Sequence, residues 1–440
     1  QLLRVTMFPW LGLGHVNPFL RIAKQLADRG FVIYLVSTPI MLEMIRKRIT
    51  EKYSDSIILV TLRLPELPEL PPHLHTTNGL PPHLNKVLHK ALKMSAPEFS
   101  KILQNISPTL VLADLLAPWA CKVALERGIP QVPLLTSGAA LFAYFVNFLK
   151  RPGEEFPFEA ISLSKNEQIK LVEMFGTEPP EEDFLAVARA NIMLMCTSRV
   201  IEAKYLDYCQ KLTNVKVVPV GPPFLDPVTL DISDPELMRW LDTKPTHAVV
   251  YVSFGSEAFL SREQMEEIAF GLELSLVNFI WVVRFPKGVE QLLEDVLPTG
   301  FLERVGDRGR VLDGLVPQAH ILNHPSTGGF ISHCGWNSVM ESIDFGVPII
   351  AMPMTWDQPI NARLLVELGV AVEIRRDEDG RVHRDEIARV LKDVINGALG
   401  EILRRNVMDI ARLLRATREE EMNIAAEELM KLCRNLSALV

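Results

Sequence analysis

Cysteine is scarce in this 440-residue chain, and odd in number. The five, Cys121, Cys196, Cys209, Cys334 and Cys433, show no metal-like spacing. Neither a disulfide framework nor a zinc site is encoded, and reduced thiols in a cytosol are expected. Positive charge is also short. Lys and Arg number 46 against 54 Asp and Glu, a formal net charge of −8, which argues against nucleic acid as a partner. No apolar run reaches the roughly 20 residues of a membrane span. The most apolar stretch, residues 133–149, contains Thr136, Ser137 and Asn147 and reads as a buried strand and helix. No charged-then-apolar leader opens the sequence, so a cytoplasmic protein without stable membrane insertion is expected. Internal repeats and long low-complexity tracts are absent, and the Pro-rich residues 64–84 read as an irregular loop. With 48% hydrophobic residues there is ample material for cores, and the length suggests two or three domains.

What is present is concentrated in residues 315–358, "LVPQAHILNHPSTGGFISHCGWNSVMESIDFGVPIIAMPMTWDQ". The apolar run 328–332 predicts a strand that delivers His333 into a turn, and the spacing of Val339 and Ile343 predicts a helix after it. Gly335 permits close backbone approach. The amides of Trp336, Asn337 and Ser338 lie at the start of that helix, an end that carries roughly half a positive charge and favours anions. Glu341, one turn in, suits ribose hydroxyls better than phosphate. "GVPIIAMP" reads as a second buried strand, leading to Thr355, Trp356, Asp357 and Gln358. A carboxylate beside a carboxamide offers acceptors and donors to sugar hydroxyls.

The amino-terminal stretch "LLRVTMFPWLGLGHVNPFLRIAKQLADRGFVIYLVS" reads as strand, turn, helix, strand. Val16, Phe19, Leu20, Ala23 and Leu26 form the apolar stripe, Gly30 is the stop, and His15 is expected at the tip of the first strand. Gly12 and Gly14 invite a dinucleotide-binding reading, but Asn17 occupies the place of the third glycine of "GxGxxG". "TLVLAD" is a strand ending in Asp114, and "VPLLT" a strand ending in Thr136; for each, a helix cap is the plain structural alternative.

Residues 315–358 resemble the signature box of the plant UDP-dependent glycosyltransferases. They share Pro317, Gln318, His324, Ser326, Gly328, Gly329, Phe330, the run from Ser332 to Ser338, Glu341, Gly346, Val347, Pro348, Pro353, Asp357 and Gln358 with it. The resemblance implies an α/β chain of GT-B type, with two Rossmann-like domains facing across a cleft. It places an acceptor-binding domain at residues 1–225, with a terminal helix at about 419–440 packing back on it. A linker at 226–240 and a UDP-sugar-binding domain at 241–418 follow. Carried over residue by residue, Gln318 and the backbone at Val316 face the uridine, and Glu341 the ribose. His333, Gly335, Trp336, Asn337 and Ser338 hold the diphosphate, with Gly255 and Ser256 in a loop facing it. Trp356, Asp357 and Gln358 hold the sugar, which a terminal Gln marks as glucose. One departure is plain: Leu315 stands where the family has a tryptophan that stacks on uracil.

In "GHxxP", here Gly14, His15 and Pro18, the resemblance makes His15 the general base, Asp114 its dyad acid and Thr136 a contact to the donor sugar. A neutral imidazole is able to accept a hydroxyl proton near pH 7. The implied reaction is an inverting transfer of glucose from UDP-glucose, a co-substrate rather than a cofactor, by a monomer that uses no metal. Asp377, Glu378 and Asp379 form a "DxD", but "RRDEDGRV" reads as a turn. The segments "PPHLHTTNGLPP" and "VNFIWVVRFP" look closest to enzymes that add a sugar to a terpenoid or flavonoid glycoside. His73, His75, Thr76, Thr77 and Asn78 are then candidate acceptor contacts, with a solvated loop as the alternative. Direct glucosylation of an aglycone, an NAD(P) oxidoreductase and a nucleotide-sugar binding protein without catalysis are the competing readings.

Overall fold

The computed structural model describes residues 3–175, 187, 189–222, 234–255, 258–285, 292–314, 316–355 and 357–437. The chain divides into two compact units. The first comprises Gln1–Glu155, Thr177–Pro223 and Leu414–Val440, and the second Phe156–Gly176 and Phe224–Leu413. Phe156–Gly176 groups with the later half of the chain, residues 226–240 group with the second unit, and the terminal segment joins the first unit from Leu414 where the sequence expectation was about 419. Within the second unit, Arg363 accounts for part of the first of these groupings, because its Nη2 lies 3.1 Å from Glu167 in the helix Lys165–Phe175.

In the first unit β1 (Leu3–Phe8), β2 (Phe31–Ser37), β3 (Ile57–Thr61), β4 (Leu110–Asp114), β5 (Gln131–Leu135), β6 (Ile192–Met195) and β7 (Lys216–Pro219) form one sheet. Its order is β3-β2-β1-β4-β5-β6-β7, and every pairing is parallel. Parallel strands need crossover helices on both faces, so central strands are buried and read as apolar runs such as β4, Leu110–Asp114, while the edge strands β3 and β7 are partly exposed. In the second unit β8 (Val249–Ser253), β9 (Asn278–Val283), β10 (Gly309–Asp313), β11 (Thr327–Ser332), β12 (Ile349–Ala351) and β13 (Ala371–Glu373) form a parallel sheet ordered β10-β9-β8-β11-β12-β13.

Alternate residues of these strands feed two cores in the second unit. Val250, Val252, Phe279, Trp281 and Ile331 pack on one face, and Val249, Tyr251, Ile280, Val282 and Phe330 on the other. Each fully buried side chain of this size contributes about 1.5–3 kcal/mol. The helix Ala398–Ser437 belongs to the first unit from Leu414 onward. There Glu419 pairs with Arg29 at 2.7 Å, and Glu421 accepts from Ser198 Oγ at 2.9 Å and Arg199 N at 2.8 Å. Among the described residues no helix is long and apolar enough to cross a membrane.

Candidate active site

Ligand-facing residues of a parallel sheet gather at the carboxyl ends of its strands. In the first unit, three neighbouring strands, β1, β4 and β5, deliver them. His15 is not at the tip of β1, as the sequence pattern suggested. Residues 9–12 turn away from the strand, Gly12 caps the helix Leu13–Ala27 in extended geometry, and His15 lies in its first turn. Its Nδ1 is 2.7 Å from Asp114 Oδ2 and 2.9 Å from Thr136 Oγ1. Asp114 is only 1% exposed and is held by two further donors, Trp10 N at 3.1 Å and Leu116 N at 3.0 Å. Neither Asp114 nor Thr136 is a helix cap; Ala117 and Gly138 occupy those positions. A carboxylate at Nδ1 fixes the tautomer with the proton on that nitrogen, so Nε2, on the opposite side of the ring, is the basic one. Thr136, expected to touch the donor sugar, meets the imidazole.

The five loop residues proposed as acceptor contacts separate. His73 is exposed, and Thr77 and Asn78 are half-buried. His75 and Thr76, two of the candidate acceptor contacts, are buried and engaged in internal hydrogen bonds, which sets aside the alternative of a solvated loop for these two. His75 Nε2 lies 3.1 Å from Leu70 O, and Thr76 Oγ1 donates to Leu11 O at 3.2 Å. Thr77 N donates to the same carbonyl at 2.9 Å, so the loop braces the turn that precedes His15. Sequence reasoning missed a ring pair nearby. His89 stacks on Trp10 with centroids 4.1 Å apart, and burial lowers the pKa of that imidazole.

In the second unit the ring of His333 lies between two glycines. A Cβ on Gly255 would be 2.8 Å from His333 Nε2, and one on Gly335 2.5 Å. Desolvation pushes the half-buried imidazole down to about 4, so it is neutral near pH 7, and its Nδ1 is buried without a hydrogen-bond partner among the described residues. Cys334 follows with φ of 66°, a left-handed turn that redirects the chain into the helix Trp336–Asp344. Gly335 is the N-cap of that helix, with no side-chain cap and no acid in the first turn.

Gln318 opens the helix Gln318–Leu322. Its Nε2 donates to Glu341 Oε2 at 2.6 Å and approaches Ser338 Oγ at 3.4 Å, while Tyr251 OH donates to its Oε1 at 3.2 Å. Gln318 N donates to Val316 O at 2.9 Å. Gln318, Ser338 and Glu341, to which the resemblance gives uridine, phosphate and ribose, are thus joined in one hydrogen-bonded group. Asn361, absent from the sequence-level site, ties two loops together: its Nδ2 donates to Cys334 O at 2.9 Å and to Asp357 Oδ2 at 2.8 Å. Gln358, 8% exposed, spends its Oε1 on the amides of Met354 and Thr355, both at 2.9 Å. Ser256, Leu315 and Trp356 lie outside the described residues. Asp377 is committed to its own turn, accepting from Asp379 N at 3.0 Å and Arg381 N at 2.8 Å.

These two clusters have counterparts in known proteins. Residues 2–224 match the family described as "Glycosyltransferase, N-terminal domain", and residues 231–425 the one described as "UDP-glucoronosyl and UDP-glucosyl transferase". The chain is 51% identical over 435 residues to the β-D-glucosyl crocetin β-1,6-glucosyltransferase of Gardenia jasminoides, covering 97% of this chain and 98% of that one. It is 46% identical to a mogroside IIIx synthase of Siraitia grosvenorii, covering 98% and 93%. The structure of Phytolacca americana UGT2 complexed with UDP-2-fluoro-glucose and pterostilbene superposes with a TM-score of 0.78 at 27% identity, covering 98% and 99%. The chain therefore belongs to the plant UDP-glycosyltransferase family, with the two Rossmann-like domains of GT-B architecture, and is an enzyme of that class.

Proposed function

We propose that this enzyme transfers glucose from UDP-glucose to a hydroxyl of a sugar already attached to a small terpenoid-class acceptor, and that the hydroxyl is the primary one at C6. The acceptor part of the reading draws on the relatives that act on crocetin and mogroside glycosides, and the 1→6 linkage on the first of them. The observation that carries the chemistry is the 2.7 Å contact between His15 Nδ1 and the buried Asp114.

His15 Nε2 takes the acceptor proton as the hydroxyl oxygen forms a bond to the anomeric carbon. The bond from that carbon to the phosphate oxygen breaks, and UDP leaves with the electron pair. Asp114 stabilises the imidazolium as it forms. A single displacement inverts an α-linked donor to a β-glucoside. In the second unit Gln318 and Val316 face uridine and Glu341 faces ribose. Neutral His333 and the amides at 336–338 hold the diphosphate, and Asp357 and Gln358 the glucose. No step is assigned to a metal or cofactor. The five cysteines are free and buried, which favours a reducing, cytosolic setting, and the enzyme is taken to act as a monomer.

General-base assistance contributes about 10²–10⁴ in rate, or roughly 3–5 kcal/mol. His15→Ala is expected to lose turnover by that factor while binding UDP with nearly unchanged affinity in calorimetry. Full turnover in the variant would remove His15 from the mechanism.

A further inference from the structure

Arg284 is the first residue after β9 and belongs to none of the signature positions. Side chains along β9 alternate between faces. Phe279, Trp281 and Val283 enter one core, while Ile280 and Val282 enter the other, together with Tyr251, Phe330 and Ile321. Arg284 stands next in the second series, two residues after Val282 and just past the end of β9. Ser253 pairs with Val282, the last pair of β8 and β9, so Gly255 and Arg284 each stand two residues beyond it at the carboxyl ends of neighbouring strands. Val316 packs against the core that Val282 enters, and Tyr251 OH donates to Gln318 Oε1 at 3.2 Å. Arg284 lies within electrostatic range of Tyr251 and of Asp313 at the end of β10.

The Nε of Arg284 is buried with no hydrogen-bond partner among the described residues. An unpaired buried polar group costs about 1–3 kcal/mol, a cost a bound ligand is able to offset. A guanidinium is planar, stacks on flat conjugated rings and donates along its edge. Uracil offers a flat ring with two carbonyl acceptors. The sequence, moreover, has Leu315 where related enzymes place a stacking tryptophan.

We propose that the Arg284 guanidinium is a uracil-recognition group of the donor site, supplying by planar contact and hydrogen bonding what the missing tryptophan does not. This rests on the reading that Gln318 faces uridine. The test is competition against UDP-glucose by uridine and by UDP in the full-length enzyme, with thermal melting as the check on folding. Arg284→Ala is expected to raise the inhibition constants of uridine and UDP by the same factor, about tenfold, with the loss falling on KM for UDP-glucose more than on kcat. Arg284→Lys, which keeps the charge and loses the planar fork, should retain most of that loss. Weaker UDP with unchanged uridine would move Arg284 to the phosphates and overturn the proposal, as would full recovery by lysine. Gln318→Ala separates the two readings. If it leaves uridine and UDP inhibition unchanged, the uridine reading of Gln318 fails; if it weakens both while Arg284→Ala weakens neither, only the Arg284 proposal fails.

Discussion

At the scale of single residues, Gly255 and His333 illustrate how the donor site depends on atoms that are absent. Gly255 has φ of 81°, where an L side chain is strained, and any Cβ would lie 2.8 Å from His333 Nε2. Gly255→Ala is expected to displace the imidazole and weaken UDP binding by about tenfold or more in calorimetry, roughly 1.4 kcal/mol; wild-type affinity would contradict that packing. Leu315 is the complementary case, a side chain too small for its position in the family signature. Aromatic stacking on a base contributes about 1–3 kcal/mol in single-stranded nucleic-acid sites. Leu315→Trp should therefore lower the dissociation constant for UDP, and an unchanged or higher constant would show that stacking is not what the site lacks.

At the scale of elements, each first-unit group of the site follows a strand end: the turn before His15 after β1, Asp114 closing β4, Thr136 after β5. The turn after Thr136 is anchored from below. Glu202, fully buried at a kink in the helix Arg199–Thr213, accepts from Ala139 N at 2.8 Å, Ala140 N at 2.7 Å and Thr197 Oγ1 at 2.5 Å. Glu202→Ala strands these donors at a cost of about 1–3 kcal/mol each at most. It is expected to lower the urea midpoint of the first unit and reduce turnover together, whereas a stable variant with full activity would leave the kink unexplained.

Such long-range pairings mark the limit of what the sequence reveals. The apolar runs and glycine stops at residues 3–37 and 327–351 were legible because their periods are local. The Asp114 and His15 pair was legible only through resemblance, since spacing alone left Asp114 open as a cap. Tyr251, Asn361 and the Trp10 and His89 pair carry no local signal, because a core tyrosine or helix asparagine looks the same whether or not it meets a distant site residue. His75 and Thr76 look like solvated loop residues in composition, and only the fold turns them inward onto Leu70 and Leu11.

At the scale of the whole molecule, two parallel sheets built on one plan hold different chemistry. The first unit carries an imidazole paired with a buried carboxylate, which is suited to accepting a proton. The second carries a desolvated, neutral imidazole beside a helix N-terminus, which is suited to an anion. These different environments suit the two imidazoles to the different tasks that the proposed reaction gives them. The most direct test of the proposed reaction is to incubate the enzyme with UDP-glucose and a panel of terpenoid aglycones alongside their monoglucosides, reading products by mass spectrometry and linkage by NMR. The expected result is one added hexose on the monoglucosides, joined β-1→6, with little product from the aglycones. Efficient glucosylation of free aglycones, with the monoglucosides left untouched, would contradict it.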